Sequence, residues 1–216
     1  MKVSNTIKDI INTIPKDVTI VAATKYSNSD EIKELLNYGI NNFGENRVDS
    51  FLEKYDSLKD LNIKWHFIGH LQRNKANKII NKIDYLHSLD SLELAKIIDE
   101  TREEPLNVFA EVSINLEESK NGVPYQNAKE FISKLLNYKN INVIGLMMMS
   151  IKASESNSLN DQFSKLRKLR DEIEKELNIK IPNLSMGMSD DYKEAIANGA
   201  THVRLGRILF EGYEKY

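Results

Sequence analysis

Short apolar segments alternate along the chain with longer segments in which apolar residues recur every three or four positions. The short segments have the length of buried strands, whereas the longer ones have the period of amphipathic helices. The pattern predicts eight strands, at residues 18–25, 40–44, 64–69, 85–89, 107–114, 142–149, 183–186 and 202–205. It predicts helices at residues 29–38, 47–55, 73–83, 92–101, 125–138, 159–177 and 190–198, and a short eighth helix from Arg207.

The helix predicted at 159–177 has the clearest pattern. Its apolar positions form one stripe, made of Phe163, Leu166, Leu169, Ile173 and Leu177. Charged residues occupy the remaining positions, so one face is expected to pack on a core and the other to meet water. The stripe is therefore interpreted as core and not as a cofactor site.

Regular alternation of strand and helix predicts parallel strands covered by helices. In a chain of 216 residues, eight such units predict an α/β fold with one domain, residues 1–216. This domain is a (β/α)₈ TIM-type barrel near the lower end of the usual range of about 200 to 400 residues. A doubly wound open sheet is the alternative. Residues 3–14 form an extra N-terminal amphipathic helix, which we expect to close the bottom of the barrel.

Composition narrows the possible partners and the cellular location. The 30 Lys and Arg residues nearly balance the 32 Asp and Glu residues, so no global field favours nucleic acid or an anionic membrane. Cysteine is absent, which excludes disulfides and thiolate ligands. No apolar run approaches the roughly 20 residues of a membrane span, and the N-terminus has no signal-like segment. A soluble, cytoplasmic monomer is expected.

One lysine and two glycine-containing loops carry the candidate chemistry. Lys25 closes the first predicted strand, while Gly187 and Gly206 follow the seventh and eighth. A closed barrel makes the first and last strands neighbours and gathers the loops after strands at one mouth, where phosphate is commonly held after strands seven and eight. Backbone amides at the two glycines, helped by the hydroxyls of Ser185 and Ser189, suit an anion. Alternatively, the glycines are ordinary turn residues and Lys25 extends to water.

Two further patterns predict less. His66 and His70 have metal-like spacing, but they fall on a strand end and its loop with no acidic partner between them, so no metal site is predicted. The basic residues Arg73, Lys75 and Lys78 have the spacing of a solvated helix face, so they do not indicate nucleic-acid binding.

Several sequence blocks together resemble the pyridoxal phosphate homeostasis protein family, whose fold is similar to the N-terminal barrel of alanine racemase. The resemblance extends from about residue 18 to residue 212. The blocks are Thr24-Lys25, Asn42-Phe-Gly-Glu-Asn46, Trp65-His-Phe-Ile-Gly-His-Leu-Gln-Arg-Asn-Lys75, His87-Ser-Leu-Asp-Ser91, Gly145-Leu-Met, Leu184-Ser-Met-Gly-Met-Ser189 and Val203-Arg-Leu-Gly-Arg207.

The resemblance implies a role for each candidate residue toward pyridoxal 5'-phosphate. Lys25 would form a Schiff base with the cofactor aldehyde. From the barrel layout we also expect its amine in a partly apolar cup, with Arg204 at its side. Asn46 would lie near the ring, and Arg204 would face the pyridine nitrogen. The residues implied to hold the phosphate are Ser185, Gly187, Gly206 and Arg207.

Three functions fit these features. The first is a non-catalytic carrier that buffers pyridoxal 5'-phosphate and hands it to apoenzymes that need it. The chain shows no counterpart of the alanine racemase domain that supplies an opposing tyrosine, and two-sided proton transfer needs a second base. The second is a pyridoxal phosphate-dependent amino-acid racemase. The third is a phosphate-binding barrel or interaction module without a cofactor.

Overall fold

In the computed structural model, eight parallel strands close into a barrel. The structure describes residues 2–114, 121–151 and 158–211. Each strand pairs in parallel with the next, including β4 with β5, and β8 pairs with β1 to complete the ring. The barrel strands are β1 Thr19–Ala23, β2 Asn42–Glu45, β3 Lys64–Phe67, β4 Tyr85–Leu89, β5 Leu106–Ser113, β6 Ile141–Met147, β7 Asn183–Ser185 and β8 His202–Leu205. The predicted TIM-type barrel is confirmed, and the open sheet is excluded.

Helices cover the outside of this ring. They are α1 Ile7–Asn12, α2 Ser29–Asn37, α3 Val48–Leu58, α4 Arg73–Ala76, α5 Leu92–Thr101, α6 Ala128–Leu135, α7 Leu159–Leu177 and α8 Tyr192–Ala197. The eighth predicted helix is a single 3₁₀ turn at Arg207–Leu209, and another 3₁₀ turn, Tyr125–Asn127, precedes α6. A short strand, Val123–Pro124, pairs with β5.

The longest helix, α7, has the bounds that its apolar stripe predicts. Ser158 accepts a hydrogen bond from the Asp161 amide, and the Asp161 side chain accepts from the Ser158 amide, so a capping box fixes the start. Asn178 ends the helix with a left-handed backbone (φ 51°). Local sequence signals therefore determine both ends.

The extra N-terminal helix α1 lies in the outer layer and not at the bottom of the barrel. The Ser4 amide donates to the Leu209 carbonyl (2.9 Å), on the C-terminal side of β8. The hydroxyls of Thr13 and Tyr192 are 3.2 Å apart, and the short strand Lys2–Val3 pairs antiparallel with Phe210–Glu211. Our expectation of a bottom plug is wrong, because α1 covers the side where the last unit has only a 3₁₀ turn.

Two layers of buried residues form the interior. The larger layer, between strands and helices, is apolar and includes Phe43, Phe51 and Trp65. The lumen is different, because His66, His87 and Arg204 are buried there. Barrel lumens are usually filled by branched aliphatic side chains, so the polar lumen indicates a functional requirement. Within the described ranges, every helix is too short or too polar to cross a bilayer.

Candidate functional site at the barrel mouth

Lys25 lies at the rim of the mouth, just beyond the end of β1. The strand stops at Ala23, and a turn closed by the Ser27 amide and the Thr24 carbonyl (3.0 Å) places Lys25 outside the sheet. Its side chain is exposed, and its amine is 4.6 Å from the centroid of the Tyr26 ring. We expected a strand residue in a partly apolar cup, and that expectation is wrong because the chain leaves the sheet before Lys25.

A buried ion pair fixes the backbone immediately before Lys25. The Lys54 amine donates to the Thr24 carbonyl and to a Glu45 carboxylate oxygen, both at 2.5 Å. The Thr24 hydroxyl donates to the same carboxylate oxygen at 2.6 Å. Lys54 and Glu45 are both buried, and the sequence analysis missed their role. The pair therefore fixes the strand end, whereas the Lys25 side chain is exposed at the rim.

The ring closure brings the first and last strands together, as the sequence predicts. In the β1–β8 pair, Val21 lies opposite Arg204. A Cβ atom on Gly206 would be 3.5 Å from the Ala23 carbonyl oxygen, so the loop after β8 adjoins the end of β1. Arg204 is not beside Lys25, however. The residue opposite Arg204 is Val21, which precedes Lys25 by four residues. Arg204 therefore lies deeper in the lumen than we expected.

Two loops lie side by side at the mouth, after the adjacent strands β7 and β8, and we call them the anion loops: residues 185–189 and residues 205–207. The Gly206 amide donates to the Ser189 hydroxyl at 3.3 Å. The Arg207 guanidinium donates to the Asp190 carboxylate. The Arg207 side chain therefore ties the second anion loop to Asp190, the residue that follows the first anion loop. The loop amides and the Ser189 hydroxyl remain as the groups suited to an anion.

A cavity of about 420 Å³ opens beside the anion loops, a volume within the range of about 300 to 1,000 Å³ usual for ligand sites. Ser150 and Asp191 form part of its wall. Asp191 accepts from the Met188 amide (2.6 Å) and from the Ser150 hydroxyl. This buried carboxylate shapes the first anion loop through those two bonds.

Gly187 serves packing. Its φ is +92°, and a Cβ atom there would lie 2.6 Å from the Ala195 Cβ and 3.0 Å from the Tyr192 Cα. Its carbonyl accepts from the Arg204 amide at 2.9 Å. Only glycine fits this approach of α8 to the loop without strain. Gly187 therefore supports the first anion loop, and the expected contact of its amide with phosphate stays a prediction.

Ser185 lies inside the barrel and not in the anion site. It is fully buried, with its hydroxyl 2.8 Å from His87 Nδ1 and 2.6 Å from Arg204 Nη1. Because both partners are in the lumen, the geometry does not support Ser185 as a phosphate ligand. Ser189, four residues later, is the serine at the mouth. The sequence shows both serines, but only the structure shows where the strand ends and the loop begins.

Three acceptors hold the Arg204 guanidinium. Its guanidinium donates to the Ser185 hydroxyl, to the Met148 carbonyl (2.9 Å) and to the Met149 sulfur (3.2 Å). Burial lowers the pKa of Arg204 to about 10, and the Glu111 and Asp191 carboxylates oppose that shift. The side chain therefore stays cationic at neutral pH and can only donate hydrogen bonds.

Asn46 follows β2 and carries a polar atom without a partner among the described residues. Its Oδ1 atom is buried and accepts no hydrogen bond there. A Cβ atom on Gly69 would lie 2.3 Å from the Asn46 carbonyl oxygen, so the loops after β2 and β3 pack closely. A buried unpaired acceptor is costly, and a ligand donor at the mouth would satisfy it.

The sequence analysis also missed Glu111 on β5. The side chain is buried, and burial raises its pKa to about 7, with a further rise from Asp90 and an opposing effect from Arg204. Only the position of Glu111 on the lumen face of the strand, which the sequence pattern does not fix, could have identified it.

His66 and His70 belong to different environments. His66 is buried in the lumen, whereas His70 is partly exposed beside Asp90, with 3.6 Å between nitrogen and oxygen. Burial lowers the pKa of His66 well below 6.5. In the part of the chain that the structure describes, no group of three or more His, Cys, Asp or Glu residues could hold a metal ion.

Comparison with known proteins identifies the family. Residues 3–214 match the family described as "Alanine racemase, N-terminal domain". The chain is 42% identical over 203 residues to the pyridoxal phosphate homeostasis protein of Aquifex aeolicus, covering 91% of this chain and 87% of the relative. It is 37% identical over 207 residues to the protein of that name from Synechocystis, covering 94% of each. The chain belongs to the pyridoxal phosphate homeostasis protein family.

Solved structures agree with this family. PipY of Synechococcus elongatus, with pyridoxal phosphate bound, superposes with a TM-score of 0.87 at 28% identity, covering 94% of this chain and 99% of PipY. Alanine racemase from Corynebacterium glutamicum superposes with a TM-score of 0.75 at 16% identity, covering 99% of this chain and 64% of the racemase. The second likeness concerns the fold alone.

Proposed function

We propose that this protein binds pyridoxal 5'-phosphate and serves in its homeostasis, holding the cofactor covalently on Lys25 and releasing it to apoenzymes. The observation that carries the proposal is the position of an exposed lysine beside two anion loops on neighbouring strands. Relatives of nearly equal length carry the homeostasis name, and PipY was solved with the cofactor. Pyridoxal 5'-phosphate supplies an aldehyde that condenses with a primary amine with loss of water.

The residues at the mouth fit this cofactor. We propose that the phosphate accepts from the Gly206 amide in place of the Ser189 hydroxyl, 3.3 Å away, and that this hydroxyl then donates to the phosphate as well. The Asn46 acceptor lies buried without a partner among the described residues and suits a donor on the cofactor. Of the residues first expected to hold phosphate, Gly206 and the Arg207 backbone keep that role. Gly187 supports the first anion loop, and Ser185 has no part in the phosphate site.

We propose a carrier and not a racemase, because of Arg204. A guanidinium facing the pyridine nitrogen donates a hydrogen bond and leaves that nitrogen unprotonated, which makes the ring a weak electron sink. Tight binding with slow chemistry suits a protein that stores a reactive aldehyde. We propose that it does so as a monomer.

Borohydride reduction tests the covalent assignment. Purified protein loaded with pyridoxal 5'-phosphate is expected to be yellow, and reduction should fix the cofactor mass on the peptide that contains Lys25. Lys25→Ala should abolish the labelled mass, whereas Lys33→Ala, which changes an exposed lysine on α2, should not. Labelling of another lysine in the wild type would refute the site.

A racemase assay separates the two activities. We expect the wild type to catalyse no measurable amino-acid racemisation, so Lys25→Ala should give the same result as the wild type. Steady racemisation by the wild type that the substitution abolishes would favour the enzyme. Colourless protein that stays unlabelled at saturating cofactor would favour the cofactor-free binding module.

A further inference from the structure

A continuous chain of hydrogen bonds crosses the barrel lumen below Arg204. Arg204 Nη1 is 2.6 Å from the Ser185 hydroxyl, which is 2.8 Å from His87 Nδ1. His87 Nε2 is 2.9 Å from His66 Nδ1. His66 Nε2 is 2.9 Å from Asn42 Oδ1. Since β4 and β7 are not neighbours in the sheet, the His87–Ser185 bond spans the lumen.

Only one direction of donation fits all four bonds. At the upper end, a guanidinium can only donate, so Ser185 accepts from Arg204. At the lower end, the Asn42 amide nitrogen donates to Asn41, so its oxygen faces His66 and accepts. When each histidine is neutral, with one donor and one acceptor nitrogen, His66 donates to Asn42, His87 donates to His66, and the Ser185 hydroxyl proton must go to His87.

Neutral histidines are what this environment favours. His66 and His87 are completely buried, and burial lowers the pKa of each well below 6.5, followed by repulsion from neighbouring histidines. The rings are also fixed by stacking, His66 on Tyr85 with centroids 4.3 Å apart and His87 on Phe109 with centroids 4.4 Å apart. The chain is therefore rigid as well as polarised.

The polarity of the chain matters for Arg204. With its proton committed to His87, the Ser185 hydroxyl presents only lone pairs to the guanidinium. Without the His87 acceptor, the hydroxyl proton is free to turn toward Arg204. Two hydrogen-bond donors, the hydroxyl and the guanidinium, would then face each other. Loss of one bond would free a buried cation to change its orientation.

We propose that His87, with Ser185 and His66, is a positioning residue that orients the Arg204 guanidinium toward the ring of pyridoxal 5'-phosphate. This inference rests on the proposed function. It assigns Ser185 a role below the ring and none at the phosphate. It also assigns a purpose to the polar lumen, which the covalent and phosphate contacts do not explain.

Absorbance titration with pyridoxal 5'-phosphate and with pyridoxal, which lacks the phosphate, tests the inference. His87→Leu and Ser185→Ala should each weaken binding of both compounds by about tenfold. Ser185→Ala removes a hydrogen bond to the buried Arg204 cation, and His87→Leu weakens the same bond by releasing the Ser185 hydroxyl proton. The ratio of the two affinities should stay at the wild-type value. His87→Asn should restore binding to within about threefold, since Asn Oδ1 can accept where Nδ1 did. The double variant His87→Leu with Ser185→Ala should bind no more weakly than the single variant with the lower affinity.

Circular dichroism and thermal melts of the cofactor-free variants identify any that fail to fold. If His87→Leu does not fold, Ser185→Ala carries the test through the affinity ratio. Wild-type affinity for both compounds in folded His87→Leu or Ser185→Ala would overturn the inference. A Ser185→Ala loss confined to the phosphorylated compound would also overturn it, because it would place Ser185 at the phosphate. Wild-type protein that binds neither compound would refute the proposed function itself, and the inference with it.

Discussion

Lys54 illustrates how one residue outside the mouth controls the position of Lys25. Its amine bonds to the Thr24 carbonyl and to Glu45, and a second Glu45 oxygen is buried without a partner among the described residues. The carboxylate thus depends on Lys54 for its compensating charge. Removing one member of a buried ion pair usually costs more than replacing both.

We therefore predict that Lys54→Met lowers the free energy of unfolding by about 3 kcal/mol in urea denaturation. Adding Glu45→Gln to that variant should recover part of the loss, because no buried charge then remains unpaired. A loss below about 1 kcal/mol for Lys54→Met, the level of an exposed pair, would contradict this view of the strand end.

The raised pKa of Glu111 predicts that the free energy of unfolding depends on pH. Its folded-state pKa is raised from 4.5 to about 7, so its protonated form stabilises the folded state. That contribution is fully present below pH 4.5 and is lost as the pH rises through about 7. The unfolding free energy of the wild type, relative to Glu111→Gln, should fall by about 3 kcal/mol between pH 4.5 and pH 8.

Urea denaturation of both proteins across that range measures the difference, with Glu93→Gln as the exposed control. A difference between the wild type and Glu111→Gln that stays constant with pH would show that Glu111 is not desolvated as described.

At the scale of elements, α8 depends on the absence of a side chain at Gly187. An alanine there would combine a left-handed backbone with a Cβ atom 2.6 Å from the Ala195 Cβ. We predict that Gly187→Ala lowers the unfolding free energy by about 3 kcal/mol, from backbone strain and overpacking. Thermal and urea unfolding measure the loss.

Gly206→Ala is the matched control, because its Cβ would meet Ala23 at ordinary distances of 3.5 and 3.6 Å. It should cost less than about 1 kcal/mol. Adding Ala195→Gly to Gly187→Ala should relieve part of the loss. Equal costs for the two glycine substitutions would show that α8 does not press on the first anion loop.

Most elements were predictable because their apolar periods are strong. The strands at 85–89 and 202–205 and helix α7 have their predicted bounds. Helix α8 starts at Tyr192 and not at 190, because residues 188–191 form a turn in which the Asp191 amide donates to the Met188 carbonyl at 3.2 Å. Helix α4 ends at Ala76, where successive three-residue turns replace it. Such endings depend on particular hydrogen bonds, which a periodic pattern does not encode.

The site was predictable in its layout and less so in its details. Ring closure, which joins Lys25 and Gly206 at one mouth, follows from counting eight units. The lumen chain of His66, His87 and Ser185 does not, because it joins strands far apart in sequence. Choosing Ser189 over Ser185 requires the end of β7, which lies within one residue of the predicted bound.

At the scale of the whole molecule, the buried histidines oppose folding in acid. The pKa of His202 is lowered to about 4, mainly by burial and then by Arg204. Its contribution to stability is present above pH 6.5 and is lost as the pH falls through about 4. The unfolding free energy should therefore fall by about 3 kcal/mol from this residue alone between pH 6.5 and pH 4.

His202→Asn should flatten that decline, whereas His70→Gln at the exposed rim should leave it unchanged. Urea midpoints at half-unit steps of pH provide the comparison. An unchanged decline in His202→Asn would mean that this histidine accepts a proton in the folded protein as readily as in the unfolded chain.

The arrangement of the whole barrel is tested most directly by a crystal structure of the protein grown with pyridoxal 5'-phosphate. We predict continuous density from the Lys25 amine to the cofactor, a phosphate that accepts hydrogen bonds from the Gly206 amide and the Ser189 hydroxyl, and the Arg204 guanidinium at the ring nitrogen. Density joined to another lysine, or a phosphate bound away from residues 185–189 and 205–207, would contradict the account.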